Sequence, residues 1–202
     1  MLPCLPKIVQ DEGKGAPYQR MGTRITPKSC TVHMTASITK ELNRSTAIIV
    51  YWYILETKQY KNLKDSLANS PMPNLLRTGD AGTAGFGGQP YIASLPVNQD
   101  KFRILKRGSF NLSKNTGTVQ DSTTAGNQPL AGPLHKTWSV KLNTPKRLMY
   151  DEDEDAPRLV YYPNNFAPFV VFGYTHQDQD VPDLANQDLS VSVRASMWYD
   201  DA

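Results

Sequence analysis

Strict alternation of polar and apolar side chains is the feature that most constrains the fold of this 202-residue chain. In residues 29–39 every second side chain is apolar or cysteine, and Ser, Thr or His stands between them. Residues 189–199 repeat the pattern with one exception, because Trp198 occupies a polar position. Side chains of a β-strand point alternately to opposite faces, so each segment predicts a strand with one buried and one polar face.

Two further segments are apolar on both faces and predict central strands. Residues 47–55 form the longest apolar run, rich in β-branched and aromatic side chains, and residues 169–174 resemble them. A run of nine residues is far shorter than the roughly 20 that cross a bilayer. We therefore expect buried strands and no membrane partner.

Four more segments complete a set of eight predicted strands. They are residues 91–95, 101–112, 135–142 and 158–162. Within the second of them, Gly108 is expected to mark a β-bulge. Residues 60–69 place Leu63 and Leu67 four apart between charged residues, which predicts one short amphipathic helix.

Eight strands with long, irregular connections favour an all-β fold: a single eight-stranded jelly roll, built from two packed four-stranded antiparallel sheets with one short helix. The two alternating strands lie near the two ends of the chain, and the first and last strands of a jelly roll pair in one sheet. Residues 1–20 contain three prolines and show no periodicity, so we expect an N-terminal arm there. One domain is predicted over residues 21–202.

The sequence shows no motif for catalysis. Its three histidines lie far apart, and no nucleophile elbow, phosphate-binding loop or paired metal-ligand spacing is present. We expect no enzymatic activity and no cofactor. The five adjacent acids of residues 151–155 allow two interpretations: a hydrated loop, or a calcium site between subunits that uses Asp151, Asp153 and Asp155.

Basic and aromatic residues near the two alternating strands predict a surface that binds nucleic acid. The candidate residues are Arg20, Arg24, Lys28, His33, Arg194 and Trp198. Lys and Arg neutralise phosphates without reading sequence. Arg194 and Trp198 lie four apart on one polar face, where the indole is suited either to stacking on a base or to covering a subunit contact.

Three segments resemble coat proteins of eukaryotic circular, Rep-encoding single-stranded DNA viruses. Residues 15–25, with Arg20, Gly22 and Ile25, resemble the entry into the first jelly-roll strand of that family. Residues 98–107 are similar to a strand of the same group, and residues 196–201 resemble its terminal strand. The three segments also follow the family's order along the chain.

The resemblance implies a non-enzymatic subunit that self-assembles into a small icosahedral T=1 shell around single-stranded DNA. Its partners would be further copies of itself, the genome and a host attachment factor that the sequence does not specify. Location in the virion is implied, after assembly in the host nucleus or cytoplasm. Residues 1–19 depart from the family, because they carry only Lys7 and Lys14 where relatives have an Arg-rich arm.

Two alternatives stay open at this point. The coat protein of a small RNA virus would show nearly the same pattern, since such shells hold their genome mainly through charge. A carbohydrate-binding jelly roll is the second alternative, with Trp52, Tyr91 and Trp198 as a stacking platform.

Overall fold

The computed structural model of the chain describes residues 1–10, 19–20, 22–38, 47–63, 65–66, 74–79, 82–84, 94–113, 135–150, 161–176 and 189–201. The described residues form twelve strands. These are β1 (Leu2–Pro3), β2 (Val9–Gln10), β3 (Gln19–Arg20), β4 (Arg24–Ile38), β5 (Ile48–Thr57), β6 (Leu76–Arg77), β7 (Thr83–Ala84), β8 (Phe102–Leu112), β9 (His135–Leu142), β10 (Leu148–Met149), β11 (Phe169–His176) and β12 (Leu189–Asp201).

Two four-stranded antiparallel sheets contain all the long strands. Sheet I has the order β1-β11-β5-β8. Sheet II is centred on β4, which pairs with β12 along one edge and with β9 and then β10 along the other. The short strands form two small sheets, β2 with β3 in parallel and β6 with β7 antiparallel.

Sheet I is covered on both faces, which explains why β5 and β11 are apolar throughout. On the face toward sheet II, Ile54 packs in one cluster with Val32 and Met34 of β4. On the opposite face, Leu55 packs with Leu75 and other apolar side chains from the segment that follows β5. Continuous apolar sequence is what a strand buried on both sides requires, so the prediction for these two segments is confirmed.

Sheet II has one buried and one exposed face. The even-numbered side chains of β4 from Cys30 to Ala36 are fully buried, whereas the side chains between them are exposed or half-buried. β12 alternates along its length in the same way. The alternation predicted from the sequence is confirmed for both strands. It places the polar side chains of sheet II on the face that points away from sheet I.

The sequence predicts a bulge at Gly108, and this prediction is wrong. The bulge in β8 lies at Leu105. Ile54 pairs with Lys106 and Leu55 with Ile104, so Leu105 is the extra residue. Gly108 pairs directly with Trp52, and a Cβ atom there would lie 2.7 Å from Cζ2 of the indole. The glycine is therefore required by the close approach of the indole and not by a bulge.

Residues 1–8, part of the segment assigned to an N-terminal arm, pack against the sandwich. β1 pairs with β11, and Cys4, Leu5 and Ile8 are buried in the cluster between the sheets. The Cys4 and Ile8 N–H groups donate to the Pro168 and Tyr161 carbonyls, at N···O distances of 3.0 and 3.1 Å. The backbone N–H groups of Cys4 and Ile8 are hydrogen-bonded within the fold, and their side chains are buried in its core. The segment is therefore part of the folded structure.

Both cysteines are free and buried, and they lie close together. The Cys30 thiol points to the Cys4 carbonyl oxygen at 3.9 Å. Burial raises the pKa of the Cys30 thiol to about 11. Burial, with a smaller contribution from Cys30, raises the pKa of Cys4 well above its ordinary value. Both groups therefore behave as small apolar side chains at neutral pH.

The coarse fold prediction, an all-β chain with two packed four-stranded antiparallel sheets, is confirmed. The jelly-roll order of the strands and the single short helix are not confirmed and stay predictions. Residues 64 and 67–69 of the predicted helix lie outside the described residues. The predicted strands at residues 91–95 and 158–162 are wrong where the structure describes them, because Leu95 lies in a bend and Tyr161 in a turn. Each is a short apolar run, and such runs do not distinguish strands from other buried segments.

Candidate nucleic-acid interface

The polar face of sheet II, which we call the outer face, points away from sheet I and is built from three strands in register. Each row across the face has one residue from β12, one from β4 and one from β9. The rows are Ser190–Ser37–His135, Ser192–Thr35–Thr137, Arg194–His33–Ser139 and Ser196–Thr31–Lys141. Because the strands are adjacent, side chains more than 150 positions apart in the sequence become direct neighbours.

Most residues predicted to bind nucleic acid lie on this outer face. Arg24, Lys28, His33, Arg194 and Trp198 are all exposed there. Arg194 pairs directly with His33, and Trp198 with Ser29. Of Arg20 only the backbone is described, in β3, which pairs with β2 and not with sheet II.

A bulge in β4 aims Lys28 at the outer face. Trp198 pairs with Ser29 and Tyr199 with Pro27, so Lys28 is the extra residue on β4. Its ammonium group lies 2.6 Å from Oδ2 of Asp200, in an ion pair whose two side chains are more than half exposed. Pairs as exposed as this one stabilise a fold by at most about 1 kcal/mol, so Lys28 can exchange Asp200 for a phosphate at little cost.

Hydroxyl groups tie the centre of the outer face together. Nε2 of His33 lies 3.3 Å from Oγ of Ser196. Oγ1 of Thr35 lies 3.1 Å from Oγ1 of Thr137, which links β4 to β9. Such cross-strand contacts hold side chains in place above the sheet, where their donors and acceptors are available to a ligand.

The outer face is cationic within the described residues. Arg24, Lys28, Lys141 and Arg194 contribute four positive charges, and Asp200 is the carboxylate on the same face. A polyanion meets more attraction than repulsion on such a surface. Lys141 and Thr137 were not among the predicted residues, although the alternation of Thr137, Ser139 and Lys141 along β9 was a signal that could have found them.

Trp198 differs from the other two tryptophans of the chain. Its side chain is 78% exposed, the highest value among the exposed large apolar side chains that the structure describes. Trp52 and Trp138 pack together between the sheets, with ring centroids 5.9 Å apart. Trp52 is therefore unsuited to the sugar-stacking platform considered above, and Tyr91 lies outside the described residues.

A second polar feature is a cleft of about 410 Å³ between the bulge of β8 and the segment that follows β9. Glu56 lines it, with a carboxylate 3.1 Å from Nζ of Lys61 and 3.8 Å from Nη1 of Arg103. The side chain is 5% exposed, so these cations compensate its buried charge. The cleft lies apart from the outer face and shares no residue with it.

Other candidate sites receive no support from the described residues. No three His, Cys, Asp or Glu side chains lie together as metal ligands within the described ranges, and Asp151, Asp153 and Asp155 fall outside them. No helix in the described part of the chain is long and apolar enough to cross a membrane. Comparison with protein-family models and with curated proteins finds no match for this chain. Function is therefore inferred from the fold and the outer face.

Proposed function

We propose that this chain is the coat protein of a small virus, which self-assembles into an icosahedral T=1 shell and encloses single-stranded DNA. The observation that supports it is the outer face, where Arg24, Lys28, His33, Arg194 and Trp198 come together from the two ends of the chain.

Each group on the outer face has a role in this proposal. The guanidinium and ammonium groups neutralise backbone phosphates, a contact that is independent of base sequence. The exposed indole of Trp198 offers a flat surface for stacking on an unpaired base, a contact that every base can make. Ser and Thr hydroxyls donate to phosphate or sugar oxygens and fix the position of the strand.

The fold forms part of the proposal as well. A jelly roll resembles a long hairpin rolled into two sheets, so its outermost strands pair in nested order. The pairs β4–β12 and β5–β11 follow that nesting. The pairs β5–β8 and β4–β9 join strands outside that nesting, so the proposal draws on the two outer pairs alone.

A carbohydrate-binding module is the second candidate, and Trp198 favours it. An exposed indole surrounded by hydroxyl groups is also suited to stacking on a sugar ring. The cationic side chains on the same face argue for a polyanion instead. The RNA-virus alternative differs from the main proposal only in the genome, because phosphate contacts are common to both.

Size-exclusion chromatography with light scattering, and absorbance at 260 and 280 nm, tests the proposal on protein purified at low salt. A megadalton particle with a raised 260/280 ratio is expected, and deoxyribonuclease should lower that ratio after the particle is opened. Ribonuclease sensitivity instead would indicate an RNA genome. A 22.6 kDa monomer at every salt concentration and pH would contradict the shell and favour the carbohydrate-binding module, which a glycan array would then test.

A further inference from the structure

β12 is an edge strand among the described residues, and its inward side chains show it. It pairs with β4 along one edge, and no described strand pairs with the other. Val191, Val193 and Met197 point inward but remain half-exposed, whereas Val32 and Met34 on the neighbouring β4 are fully buried. The difference arises because a side chain on an edge strand lacks neighbours on one side.

The other long edges carry features that discourage pairing with another chain. β8 contains three cations and the bulge at Leu105. β9 places Lys136 on its inward face, with Nζ 4.8 Å from the centroid of the Phe110 ring. Edge lysines, inward-pointing charges and bulges are the usual means by which proteins protect their edges.

β12 lacks these protective features. Residues 189–201 contain no proline or lysine, and their charges are Arg194, Asp200 and Asp201. The register shift beside Trp198 inserts its extra residue in β4 and leaves β12 regular. A long, regular edge without lysine, proline or a bulge is a template for another strand.

We propose that β12 pairs with β12 of a second copy of this chain, antiparallel and centred on Met197. The charges of the strand select this register. Arg194 and Asp200 lie on the same outward face, three residues on either side of Met197. Antiparallel pairing about Met197 therefore places each Arg194 opposite Asp200 of the second copy, and two-fold symmetry forms the contact twice.

Registers centred on Ser196, Ala195 or Arg194 form no ion pair between the two strands. Pairing centred on Ser196 would place Arg194 opposite Trp198 and Asp200 opposite Ser192. Pairing centred on Arg194 would place two guanidinium groups opposite each other, which is repulsive. Pairing centred on Ala195 would place each Arg194 opposite Ser196, without a carboxylate. In the register about Met197, Trp198 lies beside Ser196 of the second copy, and the outer faces of the two copies join into one surface.

The pairing rests on the proposed self-association and names one contact of the shell. It leaves the phosphate contacts of the outer face available, because a guanidinium has five N–H donors and a carboxylate uses at most two of them. Lys28, already bonded to Asp200, would complete a three-residue charge network across the two copies.

Disulfide cross-linking measures the register directly. All proteins compared carry Cys30→Ala, because Cys30 lies directly opposite Met197 on β4 and would form a disulfide within one chain. In Met197→Cys the two introduced cysteines of a pair then face each other across the symmetry axis, at a separation that a disulfide spans. In the matched control Ala195→Cys, also inward and half-exposed, they would stand about 13 Å apart. We expect mild oxidation to give a covalent dimer of Met197→Cys at several times the yield of Ala195→Cys and of the parent chain. Equal yields, or a higher yield for Ala195→Cys, would overturn the proposed register.

Charge exchange tests the same contact without relying on an inward substitution. Arg194→Asp places two carboxylates opposite each other, so we expect the dissociation constant of nuclease-treated protein, measured by sedimentation, to rise about tenfold. Adding Asp200→Arg should restore it to within about threefold, by exchanging the two partners. All proteins in this comparison carry Lys28→Ala, because the Lys28 ammonium would otherwise face the introduced guanidinium. Failure of the double variant to recover, with thermal unfolding unchanged, would overturn the contact.

These outcomes separate the two proposals. Particles that form without Met197→Cys cross-linking would leave the shell standing and remove β12 pairing. A covalent dimer that never enlarges would support β12 pairing and contradict the shell.

Discussion

Gly108 shows how one missing side chain shapes the core of the sandwich. Trp52 lies over the glycine on the paired strand, and its ring contacts Trp138. Trp138 in turn packs edge-on to Phe110 and Phe172, with centroid distances of 4.8 and 6.2 Å. Aromatic pairs at such distances contribute about 0.5–1.5 kcal/mol each beyond burial, so the position of Trp52 matters to the whole cluster.

Gly108→Ala should therefore destabilise the fold. The new methyl group would lie 2.7 Å from Trp52 and displace the indole from Trp138. Overpacking of this kind costs about 1–3 kcal/mol, which exceeds the gain of about 0.4–1 kcal/mol from reduced freedom of the unfolded chain. Urea unfolding measures the change. Ser109→Ala, exposed on the same strand, should stay within about 0.5 kcal/mol of the parent. A Gly108→Ala protein as stable as the parent would show that Trp52 does not depend on the glycine.

At the scale of elements, residues 1–8 add a short strand to sheet I and pack into the cluster between the two sheets. β1 contributes only two residues of pairing, too few to hold the segment by backbone hydrogen bonds alone. Cys4, Leu5 and Ile8 supply the remainder by packing into the main cluster. The segment is thus held mainly by side-chain burial.

Ile8→Ala tests this attachment. Ile8 is 1% exposed, so truncation should cost about 2–4 kcal/mol in lost burial and cavity formation. Leu2→Ala is the matched control in the same segment. Leu2 is 36% exposed, so its truncation should cost less than about 1 kcal/mol. Chemical denaturation of both variants measures the difference. Equal, negligible effects would indicate that residues 1–8 are a free arm.

At the scale of the whole molecule, the two sheets differ in what they offer to a partner. Sheet I lies between sheet II and the segment after β5, so its strands contribute apolar side chains to the core on both faces. Sheet II presents an exposed polar face with four cations. Binding through such a surface releases counterions and weakens as salt is added.

Lys141 allows this prediction to be tested at a position that only the structure placed on the outer face. Loss of one phosphate contact lowers the slope of log K against log salt by about 0.7 for a single strand. We expect that decrease for Lys141→Ala, measured by fluorescence anisotropy with a short single-stranded DNA. Lys58→Ala removes an exposed cation away from the outer face and should leave the slope unchanged. A slope unaffected by Lys141→Ala would place the nucleic acid elsewhere.

The sequence by itself determined the six long strands, and for β4, β5, β11 and β12 it determined which faces are buried. Alternation along β4 and β12, and continuous apolar sequence along β5, are local patterns that reflect the two-residue period of a strand. They were sufficient to place Arg194 and Trp198 on one face, and Lys28 at the start of the same sheet.

Only the tertiary structure decided which strands are neighbours. Three features depend on partners distant along the chain. β9 adds Lys141 to the outer face, Leu105 and Lys28 are the bulged residues, and Ile8 packs in the core. A bulge is defined by the strand opposite it, and the edge of a sheet by the strand that is missing. Residues within one strand carry neither kind of information, so both had to come from the packed fold.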